Sequence, residues 1–523
     1  VTTPDVTVVT AVYNTMPDLT RCLTSLVEQT IGLDRLEVVA VDDGSTDGSG
    51  AELDRFAAAY PGTVKVLHQA NSGGPAAPSN RALEHATGRY VLFIGADDHL
   101  GPEALARMVA AADEWGSDVL LGRMVGVNER YVHQAIFEST RAEVDLFASA
   151  LPFALSNTKL FRRDLIEKYA LRYPEDMPVG SDQPFTLEAC LRAGRISVLA
   201  DYDYYYAVKR LNAGNITYRS NHLARLRGVE RVVEVVAELI EPGERRDAVL
   251  YRHFTWEIAK LLQDDFLTLE PDVQEQVRAG VANLARKHLT EPIRDRLGVT
   301  ARVRIGAAWL GSLADLRAVI RQDVEEGLPP TVVQDERWYA LYPGFGDPRS
   351  ALSEEWFEVS RSDPKWLARL EAVSATWSPD RGGERTLTVA ARSPWPELAE
   401  LADGGLTFKV GSAAGTVTGL TEDPLGTTVR VTFRAVDLLA GLPPGGRTRT
   451  VRVTAVAAGE SGSTPLRGPR PSVRQRVLHR HGGQLYVFTT TTNHKGHLVI
   501  AVSPVTLRRV VARLRRRLPL GGK

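Results

Sequence analysis

Val6-Thr7-Val8-Val9-Thr10-Ala11-Val12-Tyr13-Asn14 and Leu36-Glu37-Val38-Val39-Ala40-Val41-Asp42-Asp43-Gly44-Ser45-Thr46-Asp47 open the stretch that decides the fold. Asn71-Ser72-Gly73-Gly74-Pro75 and Tyr90-Val91-Leu92-Phe93-Ile94-Gly95-Ala96-Asp97-Asp98 complete it. Continuous apolar, β-branched runs of this length predict strands buried on both faces, as in a parallel sheet with helices on either side. Two of these runs end on carboxylates. The C-terminal edge of such a sheet is where open α/β folds hold their ligands, and a pair of Asp there suits a ribose and a divalent cation.

Working outward, the apolar spacing between the strands turns helical. Pro17 to Gln29 carries Leu19, Cys22, Leu23, Leu26 and Val27 on one stripe. Further helices are expected from near Asp47, with Leu53, Phe56 and Ala57 inward, over Asn80–Ala86 with Gly88 as the stop, and over Pro102–Trp115. Strand–helix alternation to about Asp201 predicts a mainly parallel sheet. Leu223–Leu239, Asp247–Leu267, Pro271–His288 and Leu310–Glu326 then read as helices of an insert or linker. From about Thr331 the period changes to two, as in Arg385-Thr386-Leu387-Thr388-Val389-Ala390, Thr428 to Phe433 and Thr450 to Ala455. Gly382-Gly383 and Pro443-Pro444-Gly445-Gly446 punctuate these runs, and a β-sandwich is the expected architecture. Gly459 to Arg474 is expected to be loop. The predicted division is residues 1–210 catalytic, 211–328 helical linker and 329–523 β-rich.

Composition bounds the partners. The chain has 523 residues, 43% hydrophobic and 24% charged, with a formal net charge of -1. That length predicts several domains, and the charge argues against nucleic acid as a partner. Cys22 and Cys190 match no zinc spacing and are expected to be buried, reduced thiols in a reducing compartment. No apolar run reaches membrane-spanning length, and the chain opens on a strand without a signal-peptide pattern, so a cytoplasmic protein is expected. Leu507 to Leu520 sets Arg508, Arg509, Arg513, Arg515, Arg516 and Arg517 among apolar residues. It reads equally as a solvated or disordered end, or as peripheral contact with anionic lipid at the inner membrane face.

The strand-end carboxylates carry the chemistry. A nucleotide diphosphate leaving group needs its charge offset, and Mg²⁺ or Mn²⁺ with oxygen ligands does this directly. Asp97 is placed for such a cation, and Asp42 for a base N–H. Either one alone reads more simply as a cap on the following helix. Beside Asn71-Ser72-Gly73-Gly74-Pro75 the pair favours a ligand site. Asp182, in Ser181-Asp182-Gln183, is either an N-cap for the helix beginning near Pro184 or a general base, and the two roles are compatible.

These motifs resemble a family 2 glycosyltransferase of the GT-A fold, and within it the wall teichoic acid poly(ribitol phosphate) β-N-acetylglucosaminyltransferases. The resemblance extends through Ser117-Asp118-Val119-Leu120-Leu121, Gly126-Val127-Asn128, Leu155-Ser156-Asn157-Thr158-Lys159, Ser181-Asp182-Gln183, Ile196-Ser197-Val198-Leu199, Tyr204-Tyr205-Tyr206-Ala207 and Arg252-His253-Phe254. It covers about the first half of the chain. The resemblance implies a UDP-sugar pocket lined by Ala11, Tyr13 stacked on uracil, Asp42 on its edge, Asn71, Arg81, Ala96, Asp97 and Asp98. Asp97 would be the direct ligand of Mn²⁺ or Mg²⁺ and Asp182 the base of an inverting transfer. Lys209 and Arg210 would approach the phosphates from the entrance segment Tyr204–Asn215, with Arg252 and His253 near the diphosphate. Gly95 stands where the family's metal motif begins with Asp, and Ser79 where the family has Arg, with Arg81 two residues on.

The resemblance implies transfer, with UDP-GlcNAc as the expected donor, to a hydroxyl of a polyol-phosphate polymer such as teichoic acid. The alternatives are a UDP-hexose transferase acting on another lipid-linked glycan or small acceptor, and a GT-A protein that binds sugar or polymer without chemistry. It also implies a homotrimer assembled through the C-terminal region. Trp338, Tyr339 and Tyr342 fit either a sugar-stacking platform or, more readily, core or interface packing.

Overall fold

The computed structural model describes residues 3–506 except 129, 178, 211–220, 336, 360–362, 364, 365, 367, 380–383, 394–397, 399–404, 424, 425, 441–445, 458, 459 and 470–473. The Arg-rich segment 507–520, the Gly382-Gly383 and Pro443–Gly445 turns and positions 211–215 of the entrance segment therefore lie outside the described residues. Two compact units emerge, Val1–Thr331 with Ala340–Phe357, and Val332–Tyr339 with Glu358–Lys523.

The first unit is built on strands β1 (Val6–Val12), β2 (Leu36–Asp42), β3 (Val64–His68), β4 (Tyr90–Phe93), β5 (His99–Leu100), β6 (Val119–Gly122), β7 (Met124–Val127), β8 (Leu160–Arg162), β9 (Ile196–Leu199) and β10 (Tyr205–Val208). Seven of them form one sheet in the order β3-β2-β1-β4-β8-β6-β9. Its first four strands are parallel, while β8 runs antiparallel to both β4 and β6. The sheet is thus mixed. The chain leaves β1 for β2 on one side and returns to β4 on the other, which makes the ends of β1 and β4 the switch point where such sheets open a crevice. A small sheet, β5-β10-β7, stands beyond it.

Both faces of the large sheet are buried, as the continuous apolar runs require. Val6, Val8, Leu92, Leu120 and Leu160 share a core with Leu19, Cys22, Leu23 and Leu26 of helix α1 (Asp18–Val27) and with Leu105 and Met108. On the other face Phe93, Phe161, Tyr173 and Phe185 form an aromatic cluster, with Tyr173 and Phe185 stacked at 4.4 Å. Helix α2 spans Ser49–Ala59, α3 Ala76–Leu83, α4 Ala104–Trp115, α5 Arg163–Lys168 and α6 Asp182–Arg192. Helix α3 starts earlier than its apolar pattern suggests, because Pro75 at the end of the Gly-Gly-Pro loop serves as N-cap. Cys22 and Cys190 are both buried and free.

The linker helices are α7 (His222–Leu239), α8 (Glu244–His253), α9 (Pro271–His288), α10 (Val299–Trp309) and α11 (Leu313–Arg321). The single helix expected over Asp247–Leu267 breaks into α8, a π-helical turn at Phe254–Ile258 and short turns beyond. The helix expected over Leu310–Glu326 begins three residues late, where Ser312 and Asp315 form a reciprocal capping box. Buried Arg304 on α10 ties the bundle together. Its guanidinium donates to Asp323 (2.8 Å), Asp264 (3.0 Å) and the Leu262 carbonyl (2.7 Å). Arg304→Ala leaves Asp323 buried without its cation and is expected to cost about 3–5 kcal/mol. A lower denaturant midpoint for the first unfolding transition is the predicted readout, and an unchanged midpoint refutes it.

Strands β11 (Thr331–Gln334) and β12 (Arg337–Ala340) pair with each other. The second unit is all antiparallel. It contains β13 (Glu371–Pro379), β14 (Arg385–Ser393), β15 (Leu406–Val410), β16 (Ala413–Asp423), β17 (Gly426–Arg434), β18 (Arg447–Ala457), β19 (Glu460–Pro465), β20 (Gln475–His481), β21 (Gln484–Thr492) and β22 (Leu498–Pro504). They follow the path β13-β14-β17-β16-β15-β18-β22-β21-β20, with β19 on β18. The ends of the path meet face to face. The Trp377 indole of β13 donates to Thr490 Oγ1 of β21 (2.8 Å) and packs 5.1 Å from Phe488. Alternating Leu387, Val389, Ala391 and Val429, Val431, Phe433 fill the space between the layers. The loop expected over Gly459–Arg474 contains β19, whose Ser/Gly residues pair through their backbones along β18 and need no apolar side chains to do so. Tyr342 takes the packing alternative. It is buried in the first unit and donates to Asp323 Oδ1 (2.8 Å).

Candidate active site

The ends of β1 and β2 meet through their loops. Thr46 N–H donates to Asn14 Oδ1 (2.8 Å) and Asn14 N–H to Ser45 Oγ (3.1 Å). Ala11 lies in β1 opposite Val41, and Tyr13 stands 47% exposed just beyond, an open ring face at the strand edge. Asp42 ends β2. Its Oδ1 accepts from Ser45 N–H (3.0 Å), and its Oδ2 lies 3.1 Å from His68 Nδ1. His68 also reaches Asp54 (2.9 Å), and these two carboxylates, Asp54 first, raise its pKa.

Neighbouring Asp43, not singled out from the sequence, organises the glycine loop. It accepts from Gln69 Nε2 (2.7 Å) and from the Ser72 backbone and hydroxyl (3.1 and 2.9 Å), while Asn71 Nδ2 donates to its carbonyl (3.1 Å). Asn71 is thereby held exposed beside the end of β2. Arg81 instead turns to the His68 carbonyl (2.8 Å) and Gln69 (3.3 Å), bracing this loop from behind.

The β4 end separates its two carboxylates. Ala96 is buried. Asp98 points inward, where Tyr205 Oη donates to Oδ2 (2.6 Å) and Val208 N–H to Oδ1 (2.7 Å). Tyr205 Oη accepts in turn from Gly95 N–H (3.0 Å). Asp98 therefore holds β10 against the turn that follows β4, its carboxylate turned inward rather than toward the pocket the resemblance implied. Burial, then the charge of Asp97, raise its pKa. Asp97 is half-buried. Burial raises its pKa as well, opposed by Arg130 and then Arg210. A Cβ on Gly95 would meet Asp98 Oδ2 at 2.8 Å and Asp97 Oδ1 at 3.1 Å, so glycine leaves both carboxylates their room. Tyr205→Phe removes both of its hydrogen bonds in a buried setting. A loss of about 1–3 kcal/mol is expected, read as a lower thermal midpoint, and an unchanged midpoint contradicts the bracing role.

Arg130 and Arg210 are the cations that act on Asp97. Arg210 donates to the Asn14 carbonyl (2.9 Å) and lies 3.8 Å from Asp18. Lys209 is held through its backbone, its N–H donating to Val127 and its carbonyl accepting from Asn128 (3.1 Å). Arg130, in the loop after β7, donates to the Val208 carbonyl (3.1 Å) and acts electrostatically on both Asp97 and Asp98.

Asp182 is the first residue of α6, with Ser181 as N-cap. Burial raises its pKa, opposed by Arg252, Lys159 and the Asn157 N–H. Lys159 is buried, donates to the Ala154 and Ser156 carbonyls, and is pulled down to about 8 by desolvation. Arg252 closes α8. Its Nη1 donates to Gln183 Oε1 (2.5 Å) and pairs with Glu257 Oε1 (2.9 Å). The π turn brings Glu257, five residues on, back over Arg252 and also to His253 Nδ1 (3.4 Å). Burial disfavours the Glu257 charge, yet Arg252 and His253 hold its pKa down to about 2. His253 is fully buried, so it supports Arg252 and Glu257 from within rather than facing solvent.

Contacts link the two carboxylate regions. Arg130 near Asp97 is followed by Tyr131, whose ring meets Trp256 (6.0 Å), and Trp256 lies 5.6 Å beneath the Arg252 guanidinium that faces Asp182. A cavity of about 740 Å³ lined by Glu143, Asp145, Arg195, Ile196, Glu241 and Arg245 contains none of these carboxylates. Among the described residues no three His, Cys, Asp or Glu side chains cluster as a metal-ligand set.

Carboxylates at the switch point of a buried α/β sheet fit a ligand site at that edge. Residues 7–170 match the family model described as Glycosyl transferase family 2, and residues 225–320 match that of the Glycosyl transferase TarS linker domain. The chain therefore carries a family 2 glycosyltransferase domain followed by a TarS-type linker. It is 42% identical over 205 residues to a poly(ribitol-phosphate) beta-glucosyltransferase of Bacillus spizizenii, covering 39% of this chain and 32% of the relative. It is 42% identical over 203 residues to the poly(ribitol-phosphate) beta-N-acetylglucosaminyltransferase TarS of Staphylococcus aureus, covering 39% and 35%. These alignments span about a third of each relative. The crystal structure of S. aureus TarS 1–349 in complex with UDP-GlcNAc matches with a TM-score of 0.57 at 29% identity, over 66% of this chain and 98% of that one. The crystal structure of S. aureus TarS matches in fold with a TM-score of 0.59 at 23% identity, over 97% of this chain and 86% of that one. Among the described residues no helix is long and apolar enough to cross a membrane.

Proposed function

We propose that the protein is an inverting, metal-dependent glycosyltransferase that moves a sugar from a UDP-sugar, with UDP-GlcNAc as the expected donor, to a hydroxyl of a polyol-phosphate polymer such as teichoic acid. The observation that carries this reading is Asp97 under the charges of Arg130 and Arg210 and Asp182 under that of Arg252, with the Tyr131–Trp256–Arg252 ring contacts beginning one residue after Arg130. Tyr13 stacks on uracil, and Asp42, buttressed by His68, presents its edge to the base. Asp97 would hold Mn²⁺ or Mg²⁺, which would supply positive charge against the departing diphosphate. Arg130, Lys209 and Arg210 add positive charge on the same side. Asp182 takes the proton of the acceptor hydroxyl as its oxygen bonds to the anomeric carbon. The bond from that carbon to the phosphate oxygen breaks, UDP departs from the opposite face, and the configuration inverts.

The relatives' names favour two donors, UDP-glucose and UDP-GlcNAc. A panel of UDP-sugars with a ribitol-phosphate acceptor, with the product linkage read by NMR, separates them. A β-linked product from one of the two is expected. An α-linked product overturns the inverting mechanism, and no transfer from any donor overturns the reading. Assembly as a homotrimer through the C-terminal region belongs to the same proposal. Light scattering of the full chain and of a form ending near Gly327 tests it, and equal stoichiometry in both rules it out. Contact of the Arg-rich segment 507–520 with anionic lipid at the inner membrane face completes the picture.

A further inference from the structure

We propose that Tyr131, His133, Phe153 and Trp256 form the subsite that grips the acceptor chain, a polyol or sugar polymer carrying phosphates, beside the attacking hydroxyl. This rests on the glycosyl-transfer reading and goes beyond it by assigning the acceptor its binding surface. The rings interlock: His133 stacks on Phe153 at 5.0 Å, and Trp256 meets Phe153, His133 and Tyr131 edge to face at 5.1, 5.5 and 6.0 Å. They come from two distant parts of the chain, the loops after β7 and the π turn after α8, so the cluster is a tertiary surface rather than a local accident.

Tyr131 is 72% exposed, and His133, Phe153 and Trp256 are half-buried, so the cluster presents ring surface outward instead of filling a core. Aromatic rings of this kind take the C–H faces of sugars and polyols while leaving hydroxyls in water. The charge around them suits the phosphates of such a chain. Exposed Lys260 lies 5.7 Å from the Trp256 ring centre and Arg130 directly precedes Tyr131, while Arg252, 5.6 Å from that ring, is buried and paired with Glu257. Burial lowers the His133 pKa, which favours the uncharged ring. On the glycosyl-transfer reading the nucleotide base belongs to Tyr13, just beyond the end of β1. Position decides the remainder: the cluster runs from Arg130 at the Asp97 side to Arg252 at the Asp182 side, where an acceptor must lie to deliver its hydroxyl.

The test is calorimetric titration of a ribitol-phosphate octamer and, separately, of UDP with Mn²⁺ into the full-length wild type, Tyr131→Ala and Trp256→Ala. Trp256→Ala is expected to weaken the octamer about tenfold and Tyr131→Ala about threefold, with UDP affinity unchanged in both. The UDP titration doubles as the folding control, and Tyr131→Ala, on an exposed loop, carries the test if Trp256→Ala loses UDP binding. Octamer affinity equal to wild type in a variant that still binds UDP overturns the subsite and leaves glycosyl transfer standing. A wild type that binds UDP but not the octamer overturns the subsite as well. A wild type that binds neither overturns the functional reading itself.

Discussion

Asp182→Asn is expected to lower kcat by about 10²–10⁴-fold while leaving UDP-sugar binding intact, because the amide cannot accept the acceptor's proton. Asparagine keeps the size of the side chain and its place at the start of α6, so the fold survives. Wild-type pH dependence carries the same signature. The base works only when ionised, and burial places the Asp182 pKa above the ordinary carboxylate value near 4. Activity must therefore fall as pH drops through that raised pKa, and the acid limb of kcat/KM lies higher than for an exposed Asp. Arg252 opposes the rise. Arg252→Gln moves the acid limb to still higher pH, provided the variant turns over fast enough to measure. An acid limb that stays put in Arg252→Gln, or full activity in Asp182→Asn, removes Asp182 from the reaction.

Asp97→Asn carries the second large effect. A neutral amide is a poor ligand for a hard cation, and the donor's diphosphate then meets Arg130 and Arg210 without the metal's charge. Loss of several kcal/mol of transition-state stabilisation is expected, about 10³-fold or more in kcat/KM. Dependence of UDP affinity on Mn²⁺ should vanish in the same variant. Asp98→Asn makes the contrast. It keeps an acceptor for Tyr205 Oη or Val208 N–H but not both in their present form, so its defect should appear in stability and leave the manganese dependence of UDP binding in place. Retained manganese dependence in Asp97→Asn contradicts the assignment.

Much of this was legible in the residues. The strand runs are β-branched, uninterrupted and bounded by polar ends, so Val6–Val12 and Leu36–Asp42 appear where their pattern puts them. The chain's α/β domain, helical linker and β-rich end follow from two changes of period. Strand alternation separates Asp97 from Asp98 on an extended backbone, but here the two are set apart by a turn, closed by the Asp98 N–H on the Gly95 carbonyl (2.9 Å), that sends Asp98 inward. What escaped had no local pattern. Arg130 lies in a loop without a motif, and its role exists only because β7 pairs with β10. Glu257 faces Arg252 through a π turn, whose extra residue per turn leaves the apolar spacing still looking α-helical. Asp43 sits beside Asp42 in one strand-end run, yet its partners, Gln69 and Ser72, come from the following loop. β19 pairs by backbone alone, so its Ser/Gly composition reads as loop.

The central claim is that a cation on Asp97 and a nucleotide at the ends of β1, β2 and β4 share one crevice with Asp182. Anomalous diffraction at the manganese edge, from crystals grown with UDP and Mn²⁺, tests it most directly. The account predicts one strong peak within coordination distance of the Asp97 carboxylate and of the UDP phosphates, with uracil on Tyr13 and the Asp182 carboxylate open to the same cleft. Manganese bound away from Asp97, or UDP bound away from that strand edge, contradicts it.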